Sequence, residues 1–172
     1  AMGAMALSPK PVGMSICEIV NSLSEIAMSL VLSLVAPPST PPYPARWQTK
    51  AVTVAGGRGD GDGRDQLYYP EGLCVDEDQT VYIADCGNHR IMAWKAGATT
   101  GEVLAGGQGL GERLDQLNRP TDVIVDRQTD TLLICDWRNR RVMRWPRRSS
   151  SSLPRQGEIV INNMDSYGLI LD

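Results

Sequence analysis

A repeat period of about fifty residues, four short apolar runs in each period, and frequent turn residues (17 Gly and 11 Pro in 172 residues) predict an all-β fold. The form they predict is a partial β-propeller of two four-stranded antiparallel blades with flanking strands, preceded by an N-terminal amphipathic helix. The period shows when the chain is laid on itself: residues 51–76 match residues 101–126 at eleven of 26 positions. The matches are structural punctuation. They pair Ala55-Gly56-Gly57 with Ala105-Gly106-Gly107, Asp65-Gln66-Leu67 with Asp115-Gln116-Leu117, and Pro70 with Pro120. After a one-residue insertion the register resumes, pairing Asp85, Asn88, Arg90, Met92 and Trp94 with Asp136, Asn139, Arg141, Met143 and Trp145.

Four strands are expected in each copy: Gly72 to Asp76, Thr80 to Ala84, Arg90 to Trp94 and Glu102 to Ala105, then Asp122 to Asp126, Thr131 to Cys135, Arg141 to Trp145 and Gly157 to Ile161. The first two of each set are nearly continuous apolar runs, which a strand needs when both faces of its sheet are covered. The third strands, RIMAW and RVMRW, carry polar side chains at intervals and are expected further out.

The first fifty residues read differently. Residues 1–13 form an irregular leader or expression remnant. Residues 14–36 place Ile16, Ile19, Val20, Leu23, Ala27, Leu30, Val31 and Leu34 at helical spacing against Ser15, Glu18, Ser22, Glu25, Ser29 and Ser33, an amphipathic helix. A secretory signal or a membrane anchor is the competing reading of that stretch. Only Lys10 precedes it as a positive charge, and Glu18 and Glu25 would each cost a few kcal/mol inside a bilayer, so no membrane span is expected. Five prolines between Pro37 and Pro44 make residues 37–46 an extended linker. Residues 47–172 form the propeller segment, with blades at about 72–105 and 122–161.

The formal charge of -3 gives no overall field for nucleic acid or an anionic membrane. Four cysteines without C-x-x-C spacing and a lone histidine, His89, offer no familiar metal site, and neither a metal nor another cofactor is expected.

The run Pro-x-Gly-Leu-x-Val-Asp followed by Tyr-Ile-Ala-Asp-x-Gly-Asn-His-Arg-Ile, at residues 70–91, resembles the NHL-repeat family. The second copy keeps the frame but has Asp122 for the glycine, Trp137-Arg138 for Cys86-Gly87, and Arg140 for His89. The resemblance spans about residues 51–172, with Ala51 to Ala55 similar to an outer strand of a preceding blade and Tyr167 to Asp172 similar to the start of a third. It implies a propeller, and two blades cannot close a ring of about four to eight. Further blades or self-association are therefore expected.

Two sets of residues stand out. Asp85, Asn88 and Arg90, with their counterparts Asp136, Asn139 and Arg141, read as a structural turn in which the carboxylate and amide cap backbone groups and the arginine returns to the aspartate. Their repetition favours blade building over catalysis. The second set lies in residues 136–148, which hold six arginines: Trp137, Arg138, Arg140, Arg144, Arg147 and Arg148 are the candidate partner-binding residues, with Arg141 structural. Asp76, Glu77 and Asp78 read as a strand-end turn rather than a calcium site, and residues 56–63 as a flexible crossover rather than a phosphate loop. His89 reads as an exposed turn residue. Cys74 and Cys135 are expected to be buried and Cys86 exposed, with a Cys74–Cys86 disulfide within reach across neighbouring strands.

The reading that follows is a non-catalytic scaffold whose partner is a protein. Two alternatives stand beside it. Metal-dependent lyases and lactonases resemble the architecture but gather several histidines around the propeller axis, where this chain has none. Some NHL propellers bind single-stranded RNA on a basic face, which the Arg-rich segment 137–148 resembles; the acidic total weighs against that.

Overall fold

The computed structural model describes residues 52–147 and 155–170. The expected helix at 14–36, the linker at 37–46 and Arg148 lie outside them. Among the described residues there is no α-helix, and no helix long and apolar enough to cross a membrane. Eight strands form two antiparallel four-stranded sheets. The first holds β1 (Pro70–Val75), β2 (Val81–Asp85), β3 (Arg90–Trp94) and β4 (Glu102–Gly106). The second holds β5 (Pro120–Asp126), β6 (Thr131–Asp136), β7 (Arg141–Pro146) and β8 (Glu158–Asn162). Each sheet keeps its strands in chain order, the meander of a propeller blade.

Strand alternation decides how the blades stack. Leu73, Ile83 and Met92 are register partners across β1, β2 and β3; they form one face of blade 1 with Val81 and Trp94, covered by Ala55, Val54 and Leu67. The opposite face, with Cys74, Tyr82, Ala84, Ile91 and Ala93, meets Val123, Leu132, Ile134, Met143 and Trp145 of blade 2 in one continuous core. Val123, Ile134 and Met143 are the register partners of blade 2 that correspond to Leu73, Ile83 and Met92. The front of one blade therefore packs on the back of the one before it. Leu117, fully buried in the same core, plugs the seam from the connection between β4 and β5, and its repeat mate Leu67 caps the front of blade 1.

Two sequence expectations are refined here. The third strands do follow the first two outward in each sheet, yet they are buried: every residue of β3 is buried, and in β7 only Arg144 and Pro146 escape full burial. The polar letters misled because Arg90 and Arg141 sink their guanidiniums into ion pairs under the preceding connection. The flanking segments are not regular strands: of 52–55, only Thr53 holds an isolated bridge position, and 167–170 are irregular. That last stretch still runs beside blade 2, where the Leu169 amide donates to Asp122 Oδ2 at 2.8 Å and the Cys135 thiol donates to the Ser166 carbonyl at 2.8 Å.

Candidate functional site

Each blade is closed on one face by the same buried node. Asp85 ends β2, where a 3-10 turn (Cys86–Asn88) carries the chain to β3 through His89 in the left-handed region at φ 55°. The Asp85 carboxylate, with no exposed surface, accepts the Tyr68 amide at 2.7 Å, the Asn88 side-chain amide at 2.8 Å and Arg90 Nε at 2.7 Å. Arg90 then donates to the carbonyls of Asp62, Gly63 and Gln66 at 2.6, 3.0 and 3.2 Å, and Asn88 reaches the Gly61 carbonyl at 2.8 Å. Blade 2 repeats this node atom for atom. Asp136 accepts Asn118 N, Asn139 Nδ2 and Arg141 Nε, and Arg141 donates to the carbonyls of Glu112, Arg113 and Gln116.

A buried carboxylate facing a guanidinium is tolerable only when it is otherwise well hydrogen-bonded, and here both oxygens have donors, one on Oδ1 and two on Oδ2. The Gly-rich connection at 56–66 is thus pinned by Arg90 and Asn88, not loose. Gln66 adds a clasp, donating to the carbonyls of Arg58 and Asp60.

The arginines after Asp136 scatter. Arg140 pairs with Asp165 at 2.9 Å and Arg144 with Glu158 at 2.8 Å, both near the surface. Arg147, 10% exposed, donates to Asp76 of blade 1 and to Asp130. It is an inter-blade tie, unavailable to a partner. Asp76 also accepts the Thr80 amide and the Tyr82 hydroxyl, and the burial and charge there push the Tyr82 phenol above its ordinary range. Asp76 is consumed by these contacts, and among the described residues no group of three His, Cys, Asp or Glu side chains is arranged to hold a metal.

Arg138 and Arg119 differ from the rest. Arg138 lies over the Trp137 ring, 4.2 Å from its centroid, and neither guanidinium has a carboxylate partner among the described residues. Arg119, in the left-handed region at φ 53°, occupies the repeat position of Tyr69, at φ 46°; both precede the proline that opens an inner strand. Trp137 packs edge to face on Tyr167 at 5.1 Å, and Tyr68 on Tyr69 at 4.7 Å. Beside the Tyr68–Tyr69 pair lies a cleft of about 400 Å³ lined by Tyr68, Tyr69, Glu71, Cys86, Gly87 and Arg119. The Arg138 amide donates to the Asn118 carbonyl at 3.1 Å, which sets the turn of blade 2 beside Arg119; burial, ahead of the Glu71 charge, raises the phenol of Tyr167.

Two residues at this cleft depart from expectation. Cys86 is buried, not exposed, because the 3-10 turn folds it beneath the Tyr68 segment; burial pushes its thiol up to about 11. No disulfide joins Cys74 to Cys86, and the thiols of Cys86 and Cys135 are free. His89 is half-buried and its Nδ1 accepts the Arg119 amide at 3.0 Å, tying the turn of blade 1 to the connection entering blade 2. Burial, then the Arg119 charge, lower its pKa from the usual histidine value.

Residues 67–92 match the family model of the NHL repeat. This stretch is an NHL repeat. It runs from the plug Leu67 through β1, the buried node and β2 into β3, so the NHL signature covers the node and the cleft-forming residues of blade 1 together. No curated protein matches the chain. The cleft was missed by sequence reasoning, since its walls come from residues 68–71, 86–87 and 119. The only available signal was the exchange of Cys86-Gly87 for Trp137-Arg138 between otherwise matching turns.

Proposed function

We propose that this chain is a non-catalytic scaffold of the NHL-repeat, β-propeller type, and that it binds a protein partner on the face carrying the 3-10 turns. The observation that carries this reading is the pairing pattern. The groups that could do chemistry are engaged elsewhere: Asp85 and Asp136 in ion pairs, His89 Nδ1 in a backbone bond, the Cys86 thiol held protonated by burial. The groups left open, Tyr69, Arg119, Arg138 and Tyr167, are of the kinds enriched where proteins meet. NHL repeats commonly serve protein interaction, which agrees with this.

The same pattern disfavours RNA. Arg140, Arg144 and Arg147 each face an acidic side chain, so no continuous cationic track remains along the described part of the Arg-rich segment for a phosphate backbone. Self-association belongs to the same reading, since the back of blade 2 leaves Ile161 46% exposed; light scattering of the purified chain would show a mass above one copy. For the binding face, the tagged full chain is used to capture partners from a cell extract, with Trp137→Ala and Arg138→Glu as variants. Loss of the same captured protein in both, with unchanged circular dichroism, is expected. Capture that both variants retain refutes this face.

A further inference from the structure

We propose that the cleft beside Cys86 and Gly87 receives an aromatic side chain from an acidic peptide segment, with Arg119 and Arg138 holding the flanking carboxylates. This rests on the protein-binding reading of the same face and specifies the chemistry of the partner.

The cleft exists because one repeat lacks what the other has. At the two positions where blade 2 carries Trp137 and Arg138, blade 1 carries Cys86 and Gly87. Blade 1 cannot fill the space from its own turn. A Cβ on Gly87 would sit 2.4 Å from Tyr68 Cδ1 and 2.6 Å from the Tyr68 carbonyl oxygen, which accepts the Gly87 amide at 2.8 Å. The Tyr68 backbone is itself fixed by Asp85. The opening is therefore built into the repeat, and its volume lies in the range of binding pockets.

Blade 2 supplies an internal template for the occupant. Its indole rests edge to face on Tyr167 and under the Arg138 guanidinium. A ring entering the cleft would meet the same kinds of surface: the Tyr68–Tyr69 pair on one side and Arg119 on the other. Charge then selects among aromatic ligands. Arg119 lines the cleft, and Arg138 is held beside it by its amide bond to the Asn118 carbonyl. Neither guanidinium has an acidic partner among the described residues, and Glu71 is the one carboxylate in the lining, so an anionic segment is drawn in and a cationic one repelled.

Isothermal titration of the full chain with three pentapeptides tests this: Glu-Asp-Trp-Asp-Glu, the same peptide with Ala in place of Trp, and Lys-Lys-Trp-Lys-Lys. A decamer of uridylate is the fourth probe. The acidic Trp peptide is expected to bind, the Ala version about tenfold more weakly, and the basic peptide not at all. Arg119→Glu and Arg138→Glu, both at exposed positions, are expected to weaken the acidic Trp peptide by about tenfold each while leaving the urea midpoint unchanged. Equal binding of the basic peptide, indifference to both charge reversals, or no binding by any peptide overturns the proposal. If the peptides fail but capture through Trp137 and Arg138 persists, only this assignment falls. If uridylate alone binds, and the reversals abolish it, the protein reading falls as well.

Discussion

Arg141→Ala removes the centre of the blade 2 node, and its cost follows from what each atom touches. The side chain is 5% exposed and donates to Asp136 at 2.7 Å and to three connection carbonyls at 2.7 to 3.0 Å. Deleting one member of a buried ion pair costs about 3–5 kcal/mol, because the other charge stays buried. Asp136 keeps Asn118 N and Asn139 Nδ2, which moves the estimate down. The three orphaned carbonyls move it up, at about 1 kcal/mol each once water reaches them. The balance is about 4 kcal/mol, against a total stability of about 5–15 kcal/mol for a folded domain. The assay is urea unfolding followed by far-ultraviolet circular dichroism, comparing midpoints at constant slope. Arg140→Ala serves as the contrast. Its ion pair with Asp165 is 56% and 74% exposed, and such pairs contribute about 0–1 kcal/mol. If Arg141→Ala and Arg140→Ala lose equal stability, both under about 1 kcal/mol, the node is not what closes the blade.

Three more outcomes are expected. Arg147→Ala should cost about 3 kcal/mol by leaving Asp76 buried with only Tyr82 and Thr80 as donors, and hydrogen exchange should rise at the seam between the blades; exchange confined to β7 would contradict an inter-blade tie. His89 is held below its ordinary pKa, so it is neutral in the fold while the unfolded chain protonates near pH 6.5; stability is full above that pH and falls as pH drops through the folded pKa. Because the chain has one histidine, its ring signals in proton NMR give that pKa directly, and the urea midpoint at pH 5.5 should be lower than at pH 8, a gap that His89→Asn narrows. Cys86 should resist alkylation at pH 7.5 in the native chain and react only in urea, as mapped by mass spectrometry; rapid native labelling would return it to the surface.

Much of the fold was legible because the repeat doubles every signal. Asp85, Asn88 and Arg90 recur as Asp136, Asn139 and Arg141, and residues with that spacing around a turn have few other arrangements that satisfy a carboxylate. Strand positions followed from apolar runs broken by turn residues, correct to within two residues at each end. What failed were judgements of depth. Arg90 and Arg141 look like surface residues by type, and only the connection folded over them makes them core. Cys86 was placed outside because it sits in a turn, yet that turn lies beneath residues 68–69. Leu67 and Leu117 were visible as repeated letters but not as plugs, since their role depends on a seam between blades. The arginines of 137–147 read as one basic surface, but three of them find acids at positions 76, 130, 158 and 165, contacts that no local pattern announces.

The front-to-back seam has a consequence for how such a chain can change length. Each joint is made between two different faces, and every repeat carries one of each. An extra unit of about fifty residues, spliced in at the same phase, would present the matching face to both neighbours and remake, with the same kinds of residue, the seam that it displaces. A splice of half a unit would add two strands without the other two, so that neither a complete Leu73, Ile83 and Met92 face nor a complete Cys74, Ala84 and Ala93 face is formed for a neighbour. Insertions and deletions should therefore be tolerated in whole repeats and rejected in fractions.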